Sequence, residues 1–286
     1  DSFARSLALA PLADYVLGDL MHSRMHVCDW AGFDESLARM KEQVGEGRKV
    51  VNPFSVLALT ADLAILRKAA EVFALHQRSE AFRLGPVSKR ARHDRIRIGY
   101  YSADFHEHAT AYLMAELFEL HDKNRFELVA FSFGPETGDP MRQRLSSAFD
   151  RFVDVRLRTD REVALLSREM GIDVAIDLKG YTEDSRPGIF ACRTAPVQVS
   201  YLGFPGTMGV NFMDYIIADK TLIPTGSQSG YSEKIVYLPN SYQVNDAKRV
   251  ISSRAFTREE LGLPASGFVF ACFNNTYKIT PAVFAA

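Results

Sequence analysis

The stretch RIRIGYYSADFHEHAT, residues 95–110, decides the fold class because it reads as a strand that ends in a polar loop. Apolar side chains alternate with polar or small ones over residues 96–100, which predicts a first β-strand. The loop that follows carries Asp104, His106 and His108. Ligands of open α/β sheets bind at the carboxyl ends of the strands. We therefore expect a functional site in this loop.

The rest of the chain continues this alternation of strand and helix. Six short runs read as strands, at residues 95–101, 126–133, 152–157, 174–178, 197–202 and 215–218. Segments with apolar residues at three- and four-residue spacing lie between them, and these predicted helices include residues 113–121, 141–149 and 161–170. Strands that alternate with helices in this way predict an α/β fold with a doubly wound sheet.

Sequence patterns divide the chain into four parts. Residues 1–85 have helical periodicity and predict paired helices, with the only tryptophan, Trp30, at a helix–helix packing position. Residues 86–94 carry proline and several basic side chains, which predicts a linker. Residues 95–245 form the first α/β lobe, and residues 246–286 begin a second α/β unit.

Composition and charge are those of an ordinary globular protein. Of the 286 residues 47% are hydrophobic, and 34 Lys and Arg balance 35 Asp and Glu to a net charge of −1. This balance gives no general attraction to nucleic acid or to an anionic membrane. No apolar run is long enough to span a bilayer, which takes about 18 residues, and no signal-peptide pattern is present. We expect a cytoplasmic protein with no membrane or nucleic-acid partner.

The three cysteines, Cys28, Cys192 and Cys272, are too few and too scattered for a disulfide framework or a zinc cluster. Their number favours a reducing compartment. We expect all three to be buried as small apolar side chains.

Two chemistries fit the loop after the first strand. His108 lies where a histidine faces a cleft and exchanges protons near neutral pH, and a solvated loop histidine fits this position equally well. Asp104, His106 and His108 also alternate, which in an extended segment places three metal-binding side chains on one face. No second histidine cluster follows downstream, so metal binding is the weaker alternative.

Two glycine-bearing loops and one lysine offer further ligand contacts. Residues 179–182 (KGYT) and 203–209 (GFPGTMG) follow predicted strands, and their amides suit a phosphate or a sugar, although plain turns explain them nearly as well. A last predicted strand at residues 268–273 precedes Lys278, which suits an anionic leaving group, although a surface lysine is the commoner case. The sequence lacks the Asp-x-Asp pair that usually holds a divalent ion against a nucleotide diphosphate.

Several segments together resemble the nucleocytoplasmic O-linked N-acetylglucosamine transferases, their bacterial homologues and the related plant Spindly proteins, which form glycosyltransferase family 41. The chain looks like a bacterial member. The matching segments, in chain order, are HVCDW (26–30), RIGY (97–100) through DF (104–105) to His108, GYT (180–182), APVQ (195–198), GFPGT (203–207), MDYII (213–217), YSEK (231–234), FNN (273–275) and YK (277–278).

This resemblance implies a GT-B architecture, in which two Rossmann-like lobes face a cleft and tetratricopeptide-like (TPR) helices reach the acceptor protein. Residues 95–245 match the amino-terminal catalytic lobe, and residues 246–286 match only the start of the carboxyl-terminal, nucleotide-binding lobe. The chain starts at Asp1 and ends inside what reads as a new helix. We therefore expect a piece of a longer protein that needs the missing lobe as its partner and is nearly inactive alone.

The resemblance also implies an activity: inverting transfer of N-acetylglucosamine from UDP-GlcNAc to Ser or Thr hydroxyls of proteins, with no metal or cofactor. His108 matches the active-site histidine, proposed as a base or as a positioner of acceptor and sugar. Lys278 matches the lysine that stabilises the departing UDP. Positions that match donor-binding or cleft-lining residues are Asn275, Tyr277, Tyr181, Thr182, Pro205, Gly206 and Thr207.

Other functions stay open at this level. The segments at 273–275 and 278–281 are shared with the Spindly branch, which transfers fucose from GDP-fucose, whereas Tyr277 matches the N-acetylglucosamine enzymes. A non-catalytic peptide-binding module is a second alternative. A metal-dependent hydrolase that uses Asp104, His106 and His108 is a third.

Overall fold

The computed structural model describes residues 2–77, 84–87 and 93–285. The chain begins with five helices, α1 (Ser2–Leu9), α2 (Val16–His26), α3 (Phe33–Gly45), α4 (Pro53–Leu59) and α5 (Leu63–Gln77). Their apolar faces enclose a cluster that includes Met25, Met40 and Val44, and Trp30 packs against it as predicted. The start of α4 is fixed by Asn52, whose side chain accepts a hydrogen bond from the Ser55 N–H at 2.8 Å.

The described part of the chain then forms one seven-stranded sheet with helices on both faces. Its elements, in chain order, are β1 (Ile96–Ser102), α6 (Ala109–Leu120), β2 (Phe126–Ser132), α7 (Pro140–Ala148), β3 (Arg151–Asp154), α8 (Asp160–Glu169), β4 (Val174–Asp177), α9 (Pro187–Ala191), β5 (Val197–Ser200), β6 (Tyr215–Ala218) and β7 (Lys234–Tyr237). Every neighbouring pair of strands is parallel, in the order β3-β2-β1-β4-β5-β6-β7. The predicted doubly wound α/β fold is confirmed, and β7 is a strand that the sequence did not predict.

Successive residues of β1 face opposite sides of the sheet, as the two-residue period of a strand requires. Tyr100 packs in a cluster with helices α6 and α7, and Tyr101 packs in the cluster on the other face, which includes residues of α8 and α9. This second cluster also takes in Ala70 and Phe73 of α5. The helical region therefore packs directly on the sheet.

The carboxyl-terminal region differs from the sequence prediction. Residues 268–273 form no strand, and Phe268, Phe270 and Phe273 are exposed. A strand is stabilised by hydrogen bonds to a neighbour, and the described sheet ends at β7 without pairing to this segment. The chain instead continues to a 3-10 turn at Thr276–Lys278 and to α10 (Pro281–Ala285).

Two smaller expectations have different outcomes. Cys192 is buried as predicted, whereas Cys28 and Cys272 are exposed, because both belong to irregular segments rather than to a packed face. The predicted linker at 86–94 lies partly outside the described residues, since 88–92 are not among them. Among the helices that the structure describes, none has the length and apolar character needed to cross a membrane.

Candidate active site

The carboxyl ends of β1 and β4 form the natural place for a site in this sheet. From β1 the chain winds outward through β2 and β3, and it then returns to place β4 on the other side of β1. The loops after β1 and β4 therefore leave the sheet in opposite directions and open a crevice between them. Asp104 and His108 come from the first loop, and Asp177 and Lys179 come from the second.

The loop after β1 is held by its own side chains. Phe105 is 2% exposed and packs edge-on against Phe149 and Phe152, at ring-centroid distances of 5.6 Å each. His108 precedes α6 as its N-cap, and its Nδ1 accepts a hydrogen bond from the Thr110 N–H at 3.2 Å. The His108 side chain keeps 42% of its surface exposed. The ring is thus held at the start of α6, with part of its surface open to solvent.

The loop after β4 supplies a buried charge opposite His108. The Nζ of Lys179 lies 2.8 Å and 2.9 Å from the two carboxylate oxygens of Asp104, and both side chains are buried. The Lys179 N–H donates to Asp177 at 2.9 Å. Burial raises the pKa of Asp177 to about 6, against the opposing effects of the Lys179 and Gly180 N–H groups and the Lys179 charge. The switch point of the sheet, which lies between the carboxyl ends of β1 and β4, therefore combines two buried carboxyl groups with one ammonium group.

The surroundings of His108 favour the uncharged form of its ring. Burial lowers its pKa, the Asp104 carboxylate raises it, and the charges of Lys179 and His106 lower it further. The amino end of α6 also carries partial positive charge, which disfavours an imidazolium at the N-cap. A neutral ring whose Nδ1 accepts from Thr110 carries its hydrogen on Nε2.

The three side chains that the metal-binding alternative requires are not arranged around a common point. Asp104 is engaged by Lys179, and the rings of His106 and His108 lie 5.8 Å apart and tilted. In the part of the chain that the structure describes, no three His, Cys, Asp or Glu side chains are grouped to hold a metal ion.

The loop at residues 203–209 is built against the same end of the sheet. A Cβ on Gly203 would lie 2.0 Å from the Leu178 carbonyl oxygen, so only glycine fits there. Buried Glu233 accepts hydrogen bonds from the Thr207 hydroxyl and the Met208 N–H, at 2.7 Å each. Tyr181, also buried, donates from its hydroxyl to the Met208 carbonyl at 2.7 Å.

Through these contacts Tyr181 and Thr207 stabilise the conformation of the loop at residues 203–209. Pro205 in the same loop is partly exposed. Gly206 is buried against the ring of Phe204, and the Thr182 hydroxyl donates to the Lys179 carbonyl at 2.9 Å. Direct contact of these residues with a ligand stays a prediction.

Lys278 and Tyr277 lie in a second candidate site, between the sheet and the amino-terminal helices. They line a cleft of about 880 Å³ together with Phe54, Leu57 and Pro205. The Tyr277 ring packs against those of His22 and His26, at centroid distances of 4.9 Å each. Asn275 precedes this turn and is exposed.

His108 is not among the residues that line this cleft, so the two predicted catalytic residues lie in different surroundings. Sequence reasoning identified Asp104 and His108 and named the loop at residues 179–182 for its amides, but it missed Asp177, Glu233 and the side chain of Lys179 as parts of the site. The available signal was position, because Asp177 and Lys179 lie at the end of a strand that a doubly wound order places beside β1.

A doubly wound parallel sheet with a polar site at its switch point defines this chain as a Rossmann-like lobe. The sequence model described as Glycosyl transferase family 41 matches residues 27–256. The chain belongs to glycosyltransferase family 41, as its motifs predicted.

Individual relatives agree with this assignment. The chain is 32% identical over 284 residues to the probable UDP-N-acetylglucosamine–peptide N-acetylglucosaminyltransferase SEC of Arabidopsis thaliana, covering 92% of this chain and 29% of that protein. It is 30% identical over 240 residues to the UDP-N-acetylglucosamine–peptide N-acetylglucosaminyltransferase of Caenorhabditis elegans, covering 79% of this chain and 21% of that protein. The chain thus spans under a third of the length of these relatives.

A solved structure is also similar. A mutant of the Thermobaculum terrenum O-GlcNAc transferase superposes with a TM-score of 0.64 at 28% sequence identity, covering 84% of this chain and 47% of that one.

Proposed function

We propose that the full-length protein transfers N-acetylglucosamine from UDP-GlcNAc to Ser or Thr hydroxyls of acceptor proteins in the cytoplasm. The observation that carries this proposal is the position of His108, held as the N-cap of α6 at the switch point of a family 41 lobe. The named activities of the relatives support the donor and the acceptor class. The helices at 2–77 are proposed to face the acceptor, and residues 246–286 to begin the nucleotide-binding lobe.

The reaction is proposed to run with inversion and without a metal ion. A bond forms between the acceptor oxygen and the anomeric carbon of the sugar while the bond from that carbon to the UDP oxygen breaks. His108 takes the hydroxyl proton or orients the hydroxyl for attack. Lys278 compensates the charge of the departing diphosphate, which requires that the cleft at Tyr277 and the switch point converge on the bound donor.

The test follows transfer of labelled sugar by the full-length protein to a Ser/Thr peptide library, with EDTA present. We expect transfer from UDP-GlcNAc, and losses of roughly a hundredfold or more in His108→Ala and in Lys278→Met. Lys123→Met, at a partly exposed ion pair with Asp150 near the amino ends of the strands, is the matched control and should retain full activity.

Three results would contradict the proposal. Absence of UDP binding by calorimetry would exclude the donor. Transfer from GDP-fucose alone would assign the protein to a Spindly-like activity. Unchanged activity in both site variants would favour a non-catalytic binding module.

A further inference from the structure

Burial of the charged side chains of Asp104 and Lys179 carries an electrostatic cost that the fold does not require. Both side chains come from loops, and their relative exposures are 8% and 6%. Taking two charges out of water costs several kcal/mol per ion, which the attraction between them often only repays, and apolar side chains of similar volume commonly fill such a place as well or better. The pair is therefore weak evidence for stability and stronger evidence for a role in the crevice.

The placement of the pair indicates which residue it serves. The Oδ2 atom of Asp104 lies 3.5 Å from His108 Nδ1 and accepts from the Thr110 hydroxyl, also at 3.5 Å. The same oxygen lies 2.9 Å from Lys179 Nζ. Asp104 thus stands between an ammonium group on the β4 side and an imidazole on the β1 side.

An unpaired Asp104 would favour the charged form of His108, since an opposite charge within about 4–6 Å stabilises an imidazolium. An imidazolium has hydrogens on both ring nitrogens, and its Nδ1 would no longer accept from the Thr110 N–H, which is the N-cap bond of α6. Burial has the largest effect in favour of the neutral ring, and compensation of Asp104 by Lys179 offsets part of this attraction.

We propose that Lys179 is a positioning residue for His108: by compensating Asp104 across the gap between β1 and β4, it adds to the effect of burial and helps to keep the imidazole uncharged, with Nδ1 on the Thr110 N–H and Nε2–H directed to the reactants. In this arrangement Nε2 donates a hydrogen bond to the acceptor hydroxyl or to the sugar. His108 then orients the reactants, and the hydroxyl proton passes to an oxygen of the departing UDP phosphate. This inference rests on the proposed function for its catalytic meaning, and on geometry alone for the charge state of His108.

Among the residues that the structure describes, few charged groups face the His108 ring. Asp104 and His106 come from its own loop, and Lys179 comes from the loop after β4. Asp139, the N-cap of α7, contacts the loop through the Glu107 N–H at 3.2 Å. The effect of Lys179 on His108 is therefore separable by substitution.

The test titrates His108 by NMR of ¹³C-histidine in the full-length protein, with the signal assigned by loss in His108→Gln. Lys179→Met should raise the pKa of His108, because Asp104 is left unpaired. Asp104→Asn should lower that pKa, because Lys179 is left unpaired. The double variant should return the pKa toward the wild-type value, and Lys179→Arg, which keeps the charge, should leave it nearly unchanged.

Kinetics supply the second measurement. Lys179→Met should lower kcat at pH 7 by roughly ten- to a hundredfold, with KM for the donor little changed. The acid limb of its kcat profile should move to higher pH, so that activity partly recovers in alkaline buffer. A purely structural role of Lys179 predicts a uniform loss without this pH shift.

A His108 pKa that does not move in Lys179→Met overturns the inference whatever the donor is. If that variant fails to fold, Asp104→Asn and the double variant decide, because adding Lys179→Met to Asp104→Asn must raise the pKa again. Failure of the proposed function is distinguishable, since it would leave the titrations as expected while no sugar is transferred from UDP-GlcNAc.

Discussion

Gly180 shows how one residue adjusts the backbone so that its neighbour reaches the site. Its φ is +56°, and a Cβ at this position would lie 2.4 Å from the Cβ of Phe204. The turn at Gly180 follows directly after Lys179 and lets the chain leave β4 while the Lys179 side chain reaches back to Asp104. Both the backbone conformation and the lack of space require glycine here.

We expect Gly180→Ala to destabilise the protein by about 2–4 kcal/mol, as the sum of left-handed backbone strain and a clash in a packed region. Gly138→Ala is the matched control, because Gly138 has a φ of +65° and nothing within 4 Å of its added Cβ. That control should cost only about 1–2 kcal/mol, the backbone strain alone. Urea denaturation of both variants measures the difference, and equal losses would show that Phe204 yields to the new methyl group.

At the scale of elements, periodicity predicted the interior of the sheet better than its edges. The strands from 95–101 to 215–218 were predicted because burial on one or both faces imposes clear patterns. β7 was missed, since this four-residue edge strand has no fully buried side chain. Residues 268–273 were predicted as a strand from apolar content, but a strand also needs a neighbour, which no local pattern supplies.

The site was predictable only in part for a related reason. His108 and Asp104 stand in one loop, so their proximity could be predicted from sequence spacing. Lys179 meets Asp104 from 75 residues away, and that contact depends on the strand order that places β4 beside β1. Glu233 lies farther along the chain than Lys179 and accepts a hydrogen bond from the loop at residues 203–209.

Helix α6 contains a pH-sensitive contact at its carboxyl end. His121 Nδ1 donates to the Leu117 carbonyl at 2.7 Å, and the buried Tyr100 hydroxyl donates to His121 Nε2 at 3.1 Å. Only the bond from Tyr100 needs a neutral ring, because a protonated ring keeps its Nδ1–H donor but loses the Nε2 acceptor. Burial lowers the pKa of His121, the Leu117 bond raises it, and the Lys123 charge lowers it further.

A pKa that is lower in the folded state than in the unfolded chain makes stability fall as pH falls. Unfolded histidine takes up its proton near pH 6.5, so the contribution of His121 is complete above that pH and is lost progressively down to its folded pKa. We expect His121→Gln to flatten the decline in unfolding free energy between pH 7.5 and 6. Denaturant titrations at several pH values measure it, and parallel profiles for the two proteins would contradict the assignment.

At the scale of the whole molecule, the helical region and the sheet share their packing. Phe73 of α5 meets Tyr181 edge-on, at a centroid distance of 5.0 Å. A Cβ on Gly209 would lie 2.7 Å from the Glu71 nitrogen, which shows how closely this loop approaches α5. Arg67 donates to the Ser229 carbonyl at 3.1 Å. Helices with this much common surface are expected to unfold together with the sheet.

Trp30 makes this expectation testable, because the only tryptophan reports on the helical region. Its fluorescence and the hydrogen exchange of amides in β1 and β4 should give the same midpoint in urea, as one cooperative transition requires. Phe73→Ala should lower both midpoints equally, for a loss of about 2–4 kcal/mol from a partly buried ring. If fluorescence changes at lower urea than exchange in β1, the helices are a separate folding unit and their contact with the sheet adds little to stability.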